Sequence, residues 1–201
     1  MKSLSQENVW DKIAPFWNKH KTEAFGSKDG FIDKFILKND VVLDLGCGSG
    51  RNFINKGRWY GVDFSEEMLK FAKNKNYYEL KKTMVWNTKY NDNSFDKVIC
   101  ISVLHCISGM TKRKKTIAEI LRVLKNGGKA IISVWNKDSK RWKNKKKEIN
   151  ASWNLGNNSK VFRYYYLYNF EELKKELEHA GFKILKHSNP LARNIVFMLE
   201  K

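Results

Sequence analysis

Cysteine is scarce in this chain: Cys47, Cys100 and Cys106 are spread over 201 residues. An odd count without a C-x-x-C pair excludes a disulfide framework or a zinc ribbon as the organising element. Each thiol is expected to pack as a small buried hydrophobe. Long uncharged apolar runs are also missing, which excludes a helical membrane span. Residues 1–10 lack the basic-then-apolar layout of a secretory leader, so the expected location is cytoplasmic. Acidic side chains are the third shortage: 21 Asp and Glu face 39 Lys and Arg, a formal net charge of +18. Such a field concentrates polyanions and suits a nucleic-acid partner. A lysine- and asparagine-rich composition with no binding role accounts for it equally well, and composition alone leaves both open.

What is present points to one domain over residues 1–201. Hydrophobic residues make up 42% and aromatics 13%, enough for one sizeable core. Residues 6–20 set Val9, Trp10, Ile13, Phe16 and Trp17 at helical spacing. With a second short helix at 29–37 they predict an N-terminal helical cap over 1–38. Val41 to Leu45 is a compact apolar strand that runs into Gly46-Cys47-Gly48-Ser49-Gly50. A strand at 59–62 ends at Asp63, and Ser65 is placed to cap a helix with Glu66 and Glu67 in its first turn. Further strands are predicted at 83–86, 97–103 and 129–135, with a helix at 116–124 closed by Asn126-Gly127-Gly128. Residues 136–162 are Lys- and Asn-rich and predict an inserted, irregular basic segment. A helix at 170–180 and strands at 182–187 and 194–199 close the chain, the strands as an antiparallel end. Alternating strands and helices imply a doubly wound, mostly parallel α/β sheet covered on both faces. Ligands of such sheets bind beyond the carboxyl ends of the strands.

The glycine loop is the strongest signal. Without Cβ atoms, its backbone lets a ligand approach closely. Asp63, nineteen residues after Asp44, can accept hydrogen bonds from two ribose hydroxyls. A nicotinamide cofactor is the main rival, but it favours G-x-G-x-x-G, and Phe53 stands at the third glycine's place. Asp44-Leu45-Gly46-Cys47-Gly48-Ser49-Gly50 instead resembles the first motif of the Rossmann-like, seven-stranded methyltransferases that use S-adenosylmethionine. The resemblance implies that Asp44, Gly46, Gly48 and Gly50 line the methionine part of that cofactor and Asp63 holds its ribose. Phe64, Asn87, Thr88 and Ile101 are the further cofactor-binding positions it implies, Asn87 keeping the polarity but not the charge of the family's aspartate. No metal ligands are expected.

A narrower resemblance lies past the cofactor motifs. Asp11-Lys12-Ile13-Ala14, Val103-Leu104-His105, Val134-Trp135, the run Arg163-Tyr164-Tyr165-Tyr166-Leu167-Tyr168 and the ending from Asn194 are similar to one family. These are the tRNA wobble-uridine methyltransferases that esterify 5-carboxymethyluridine in the anticodon loop. The resemblance implies tRNA as acceptor and a small zinc-binding activator protein as partner. The chain departs from that pattern at His20-Lys21, Cys106 and Tyr166. An acceptor carboxylate, with a reference pKa near ~4, is already ionised at neutral pH, so no general base is needed. The site needs a cation: Arg163 offers a bidentate fork, and His105 is the second catalytic candidate. Lys21, Tyr164 and Tyr165 are candidate substrate contacts, the tyrosines by stacking on unpaired bases. Two alternatives stay open: a small-molecule methyltransferase of the same fold, and a non-catalytic S-adenosylmethionine-binding module. Amino methylation of bases is disfavoured, since residues 101–105 lack its proline pair.

Overall fold

A computed structural model describes residues 4–20, 23–26, 30–156 and 159–201. The chain divides into two compact units, residues 1–85 with 150–163, and residues 86–149 with 164–201.

In the first unit, Gln6–His20 forms α1, Phe31–Phe35 α2, Val41–Leu45 β1, Arg58–Asp63 β2, Glu66–Ala72 α3 and Glu79–Lys82 β3. The strands run parallel, with Asp44 opposite Gly61 and Asp63 opposite Lys82. Val42, Leu43 and Leu45 are fully buried, as expected of a parallel strand covered on both faces. The Ser65 hydroxyl caps α3 by accepting from Met68 N at 3.2 Å. Val9 and Ile13 of α1 pack with Val161, and Trp17, Trp153 and Leu155 lie partly buried against them.

In the second unit, Phe95–Ile101 is β4, Met110–Val123 α4, Leu124–Trp135 β5, Phe170–His179 α5, Lys183–His187 β8 and Asn194–Glu200 β9. A single 3-10 turn, Leu104–Cys106, follows β4. β5 pairs parallel with β4 and antiparallel with β9, and β8 is antiparallel to β9. The first unit orders its strands β3-β2-β1 and the second β4-β5-β9-β8, seven strands of the mixed, mostly parallel kind expected from the alternating pattern. Glu148–Gly156 (β6) and Ser159–Tyr166 (β7) make a separate two-stranded sheet.

Four expectations are corrected. The third strand lies at Glu79–Lys82 rather than 83–86, because a polar edge strand carries little apolar signal. β4 ends at Ile101, where Ser102 turns to φ 62. Gly127 and Gly128 do not cap α4 but lie within β5, where Gly127 N and Gly128 O bond Lys201. The basic segment is largely strand from Glu148 onward: Ile149, Ala151, Trp153 and Leu155 alternate with exposed residues at the strand period.

Candidate functional site

In the first unit, the chain leaves β1 through Gly46, Gly48 and Gly50, at φ 77, 54 and 76. Side chains with a Cβ rarely adopt this left-handed conformation. A Cβ on Gly48 would meet nothing nearer than Met68 Sδ at 3.9 Å, whereas Gly50 is packed against Tyr77, Lys75 and Ala72. Asp63, at the end of β2, closes the loop. Its Oδ2 accepts from Gly48 N at 2.9 Å, and its Oδ1 accepts from Ser65 N at 2.9 Å. A carboxylate has about four lone-pair sites, so these two bonds fix its plane and leave capacity for a vicinal diol. The cap of α3 is tied to α1 as well, since Ser65 Oγ donates to Asp11 Oδ1 at 2.6 Å.

Burial governs the charges here. Desolvation pushes Asp63 up to about 6 against the pull of the backbone N–H groups of Ser65, Gly48 and Phe64, with nearby Asp11 adding to the rise. Desolvation pushes Asp44 up to about 7, partly offset by the Tyr77 hydroxyl, which donates to its Oδ2 at 2.8 Å. Oδ1 of Asp44 is buried with no hydrogen-bond partner among the described residues. Backbone open at Gly48, a fixed carboxylate and an unsatisfied buried acceptor suit a nucleoside ligand carrying a cationic end.

Arg163 belongs to the same unit. It is 8% exposed, with its guanidinium 4.7 Å from the Trp153 ring centroid and 5.7 Å from that of Trp10. Arg163 thus sets its charge against two aromatic rings, the arrangement of a cation–π contact.

The second unit holds an aromatic stack. The His105 ring lies 5.0 Å from Trp135 at 25°, and Trp135 lies 5.0 Å from Trp142 at 19°. Tyr165 is 4.2 Å from Trp135, and the Arg141 guanidinium sits 4.6 Å over Trp142. His105 Nδ1 accepts from Trp135 N at 3.4 Å, which puts the proton of a neutral ring on Nε2. Among the described residues, no group of three or more His, Cys, Asp or Glu side chains is placed to hold a metal ion. No described helix is long and apolar enough to cross a membrane.

Residues 43–132 match the family model of a methyltransferase domain. A protein of Encephalitozoon cuniculi named as a methyltransferase is 32% identical over 199 residues, covering 96% of this chain and 93% of that protein. The chain belongs to the S-adenosylmethionine-dependent methyltransferases. Two further relatives are each named tRNA (carboxymethyluridine(34)-5-O)-methyltransferase. The one from Arabidopsis thaliana is 33% identical over 63% of this chain and 31% of its own length. The one from Schizosaccharomyces pombe is 27% identical over 89% of each. The methyltransferase thus spans under a third of the plant relative but most of the yeast one. Among solved structures, an S-adenosylmethionine-dependent methyltransferase of Clostridium acetobutylicum superposes with TM-score 0.70 at 20% identity, over 96% of this chain and 99% of that one. A chain from the complex of the Haloferax volcanii Trm112 methyltransferase activator with a methyltransferase gives 0.73 at 16%, over 98% and 97%. At these identities the likeness is one of fold. S-adenosylmethionine is the methyltransferase's cofactor, and the loop with Asp63 has the chemistry to hold it.

The other predicted site residues come from both units. Thr88 is fully buried, and its N and Oγ1 both donate to Glu119 Oε1, at 2.7 and 2.6 Å, so it anchors α4. His105 and Tyr165 are each 1% exposed, so a substrate would have to open the aromatic stack to reach them. Tyr164 is half-buried beside Glu148 and Arg113. Arg113 is 4% exposed and lies 3.7 Å over the Tyr166 ring. Asn87 is exposed, Phe64 half-buried, and Ile101 is buried at the end of β4. Lys21 lies outside the described residues. Sequence reasoning missed Tyr77, which comes to Asp44 from another loop at no fixed spacing, and Arg51, which directly follows the glycine loop and also acts on Asp44.

Proposed function

We propose that this methyltransferase acts on tRNA, esterifying the carboxylate of 5-carboxymethyluridine at the wobble position of the anticodon loop. The observation that carries the reading is the likeness, over 89% of both chains, to the S. pombe protein named for that reaction. The net charge of +18 and a buried arginine set beside two tryptophan rings support it.

When bound, S-adenosylmethionine supplies an electrophilic methyl group on a cationic sulfur. Asp63 holds the ribose hydroxyls with the lone pairs its two backbone bonds leave over. The glycine loop brings backbone rather than side chains against the methionine part. Arg163 holds the acceptor carboxylate through its planar fork, in the ionised form that attacks without a general base. Orientation of this kind can supply several kcal/mol of the barrier reduction. His105, within its stack, positions Trp135 rather than touching the acceptor. A Trm112-type activator is proposed as a partner by analogy with the H. volcanii complex.

The test is mass spectrometry of anticodon-loop nucleosides after incubation of tRNA bearing carboxymethyluridine with the protein and methyl-labelled cofactor, with and without activator. Labelled methyl ester at the wobble uridine supports the reading. Absence of label in both arms, with cofactor binding intact, refutes it.

A further inference from the structure

We propose that Trp10, Trp17 and Trp153 form a stacking platform for unpaired bases of the RNA acceptor. The proposal rests on the reading of the chain as an RNA methyltransferase and names the surface that receives the strand.

Trp10 and Trp17 stand two turns apart on α1, one face of the helix, and Trp153 comes to them from β6. The Trp10 and Trp17 centroids are 5.4 Å apart edge to face, and Trp17 lies 5.9 Å from Trp153. Two cations meet the cluster: Arg51 lies 5.7 Å over the central Trp17, and Arg163 lies 4.7 Å over Trp153 and 5.7 Å over Trp10. Arg51 directly follows Gly50 and feels the charge of Asp44, so the cluster adjoins the cofactor loop. Arg163 is the residue proposed to hold the acceptor carboxylate.

Packing alone does not call for this arrangement. Val9 and Ile13 of α1 and Val161 of β7 form the buried centre of the contact at 2%, 0% and 5% exposed, with Trp17 and Trp153 packed against its edge. The three tryptophans stay at its margin, half-buried, whereas Trp59 is buried to 1%. Large aromatics at a margin, interleaved with arginines on a strongly basic chain, are what single-stranded nucleic acid binds: every base has a face to stack, and the cations meet the backbone. Tyr165, the stacking candidate from sequence, has its ring against Trp135, so the tryptophan row takes that role.

The experiment uses the full chain with a short unmodified RNA stem-loop that carries 5-iodouridine at one unpaired position. Irradiation of the wild-type complex should crosslink the RNA to the peptide of Trp10, Trp17 or Trp153. In parallel, fluorescence anisotropy should show Trp17→Leu and Trp153→Leu each weakening RNA binding about tenfold, a stacked base's share. The slope of log affinity against log salt should stay at the wild-type value, because no phosphate contact is lost. S-adenosylhomocysteine affinity and melting temperature should stay near wild type. Crosslinks confined to other peptides, as expected if the platform receives a protein partner instead, overturn the proposal. So do unchanged RNA affinities, or losses that track a fall in S-adenosylhomocysteine affinity. The RNA lacks the carboxymethyl group, so this binding does not depend on the reaction. Tryptophan-dependent binding without wobble esterification would sink only the proposed reaction; esterification without it would sink only the platform.

Discussion

Lowering the pH from 7 to 5 should weaken cofactor binding about tenfold through Asp63 alone. The group is buried, and desolvation holds its pKa at about 6 although three backbone N–H groups pull it down. Only the ionised carboxylate can keep its bonds from Gly48 and Ser65 and still accept from two ribose hydroxyls. With a midpoint near 6, the ionised fraction falls from roughly 0.9 at pH 7 to roughly 0.1 at pH 5, and the apparent dissociation constant rises by the ratio. An aspartate at the ordinary value of 3.8 would stay more than about nine-tenths ionised throughout, with almost no change. Isothermal calorimetry with S-adenosylhomocysteine between pH 5 and 8, at constant ionic strength, separates the two cases. At pH 6 binding should release about half a proton, visible as a dependence of the heat on the buffer. Asp63→Asn should bind weakly with a flat pH profile. An affinity that stays level between pH 5 and 7, or a wild-type midpoint below pH 4.5, refutes the reasoning.

Asp44, raised to about 7 by burial, binds its proton more tightly folded than unfolded, so it costs the fold nothing below pH 4 and progressively more as pH rises through 7. Asp44→Asn should therefore stabilise the cofactor-free protein by about 2–4 kcal/mol at pH 8 and leave it unchanged at pH 4, by urea denaturation. Arg163→Lys should keep cofactor affinity but lower kcat/KM on carboxymethyluridine tRNA at least about tenfold, since a point charge cannot replace a planar fork; wild-type activity would remove the clamp. Thr88→Val should cost about 1–2 kcal/mol by breaking the hydroxyl bond to Glu119, with calorimetric cofactor affinity unchanged. A matching fall in cofactor affinity would return Thr88 to the site.

Local signals determined a great deal of this protein. The apolar run at 41–45, the glycines after it, Asp63 and the Ser65 cap were legible because each is a short-range rule: burial on both faces, left-handed backbone, a hydrogen bond three residues on. Even β6 was written in its sequence, in the alternation of Ile149, Ala151, Trp153 and Leu155, although its lysine-rich approach concealed it. What only the tertiary structure decided is which polar groups are spoken for. Thr88 meets Glu119 from 31 residues away, Tyr77 meets Asp44 from 33, and Trp153 reaches α1 from the far side of the sequence. No spacing encodes these encounters, because they arise when separate elements are packed together. Burial then sets both which side chains a substrate can reach and the pKa of the carboxylates that await the cofactor.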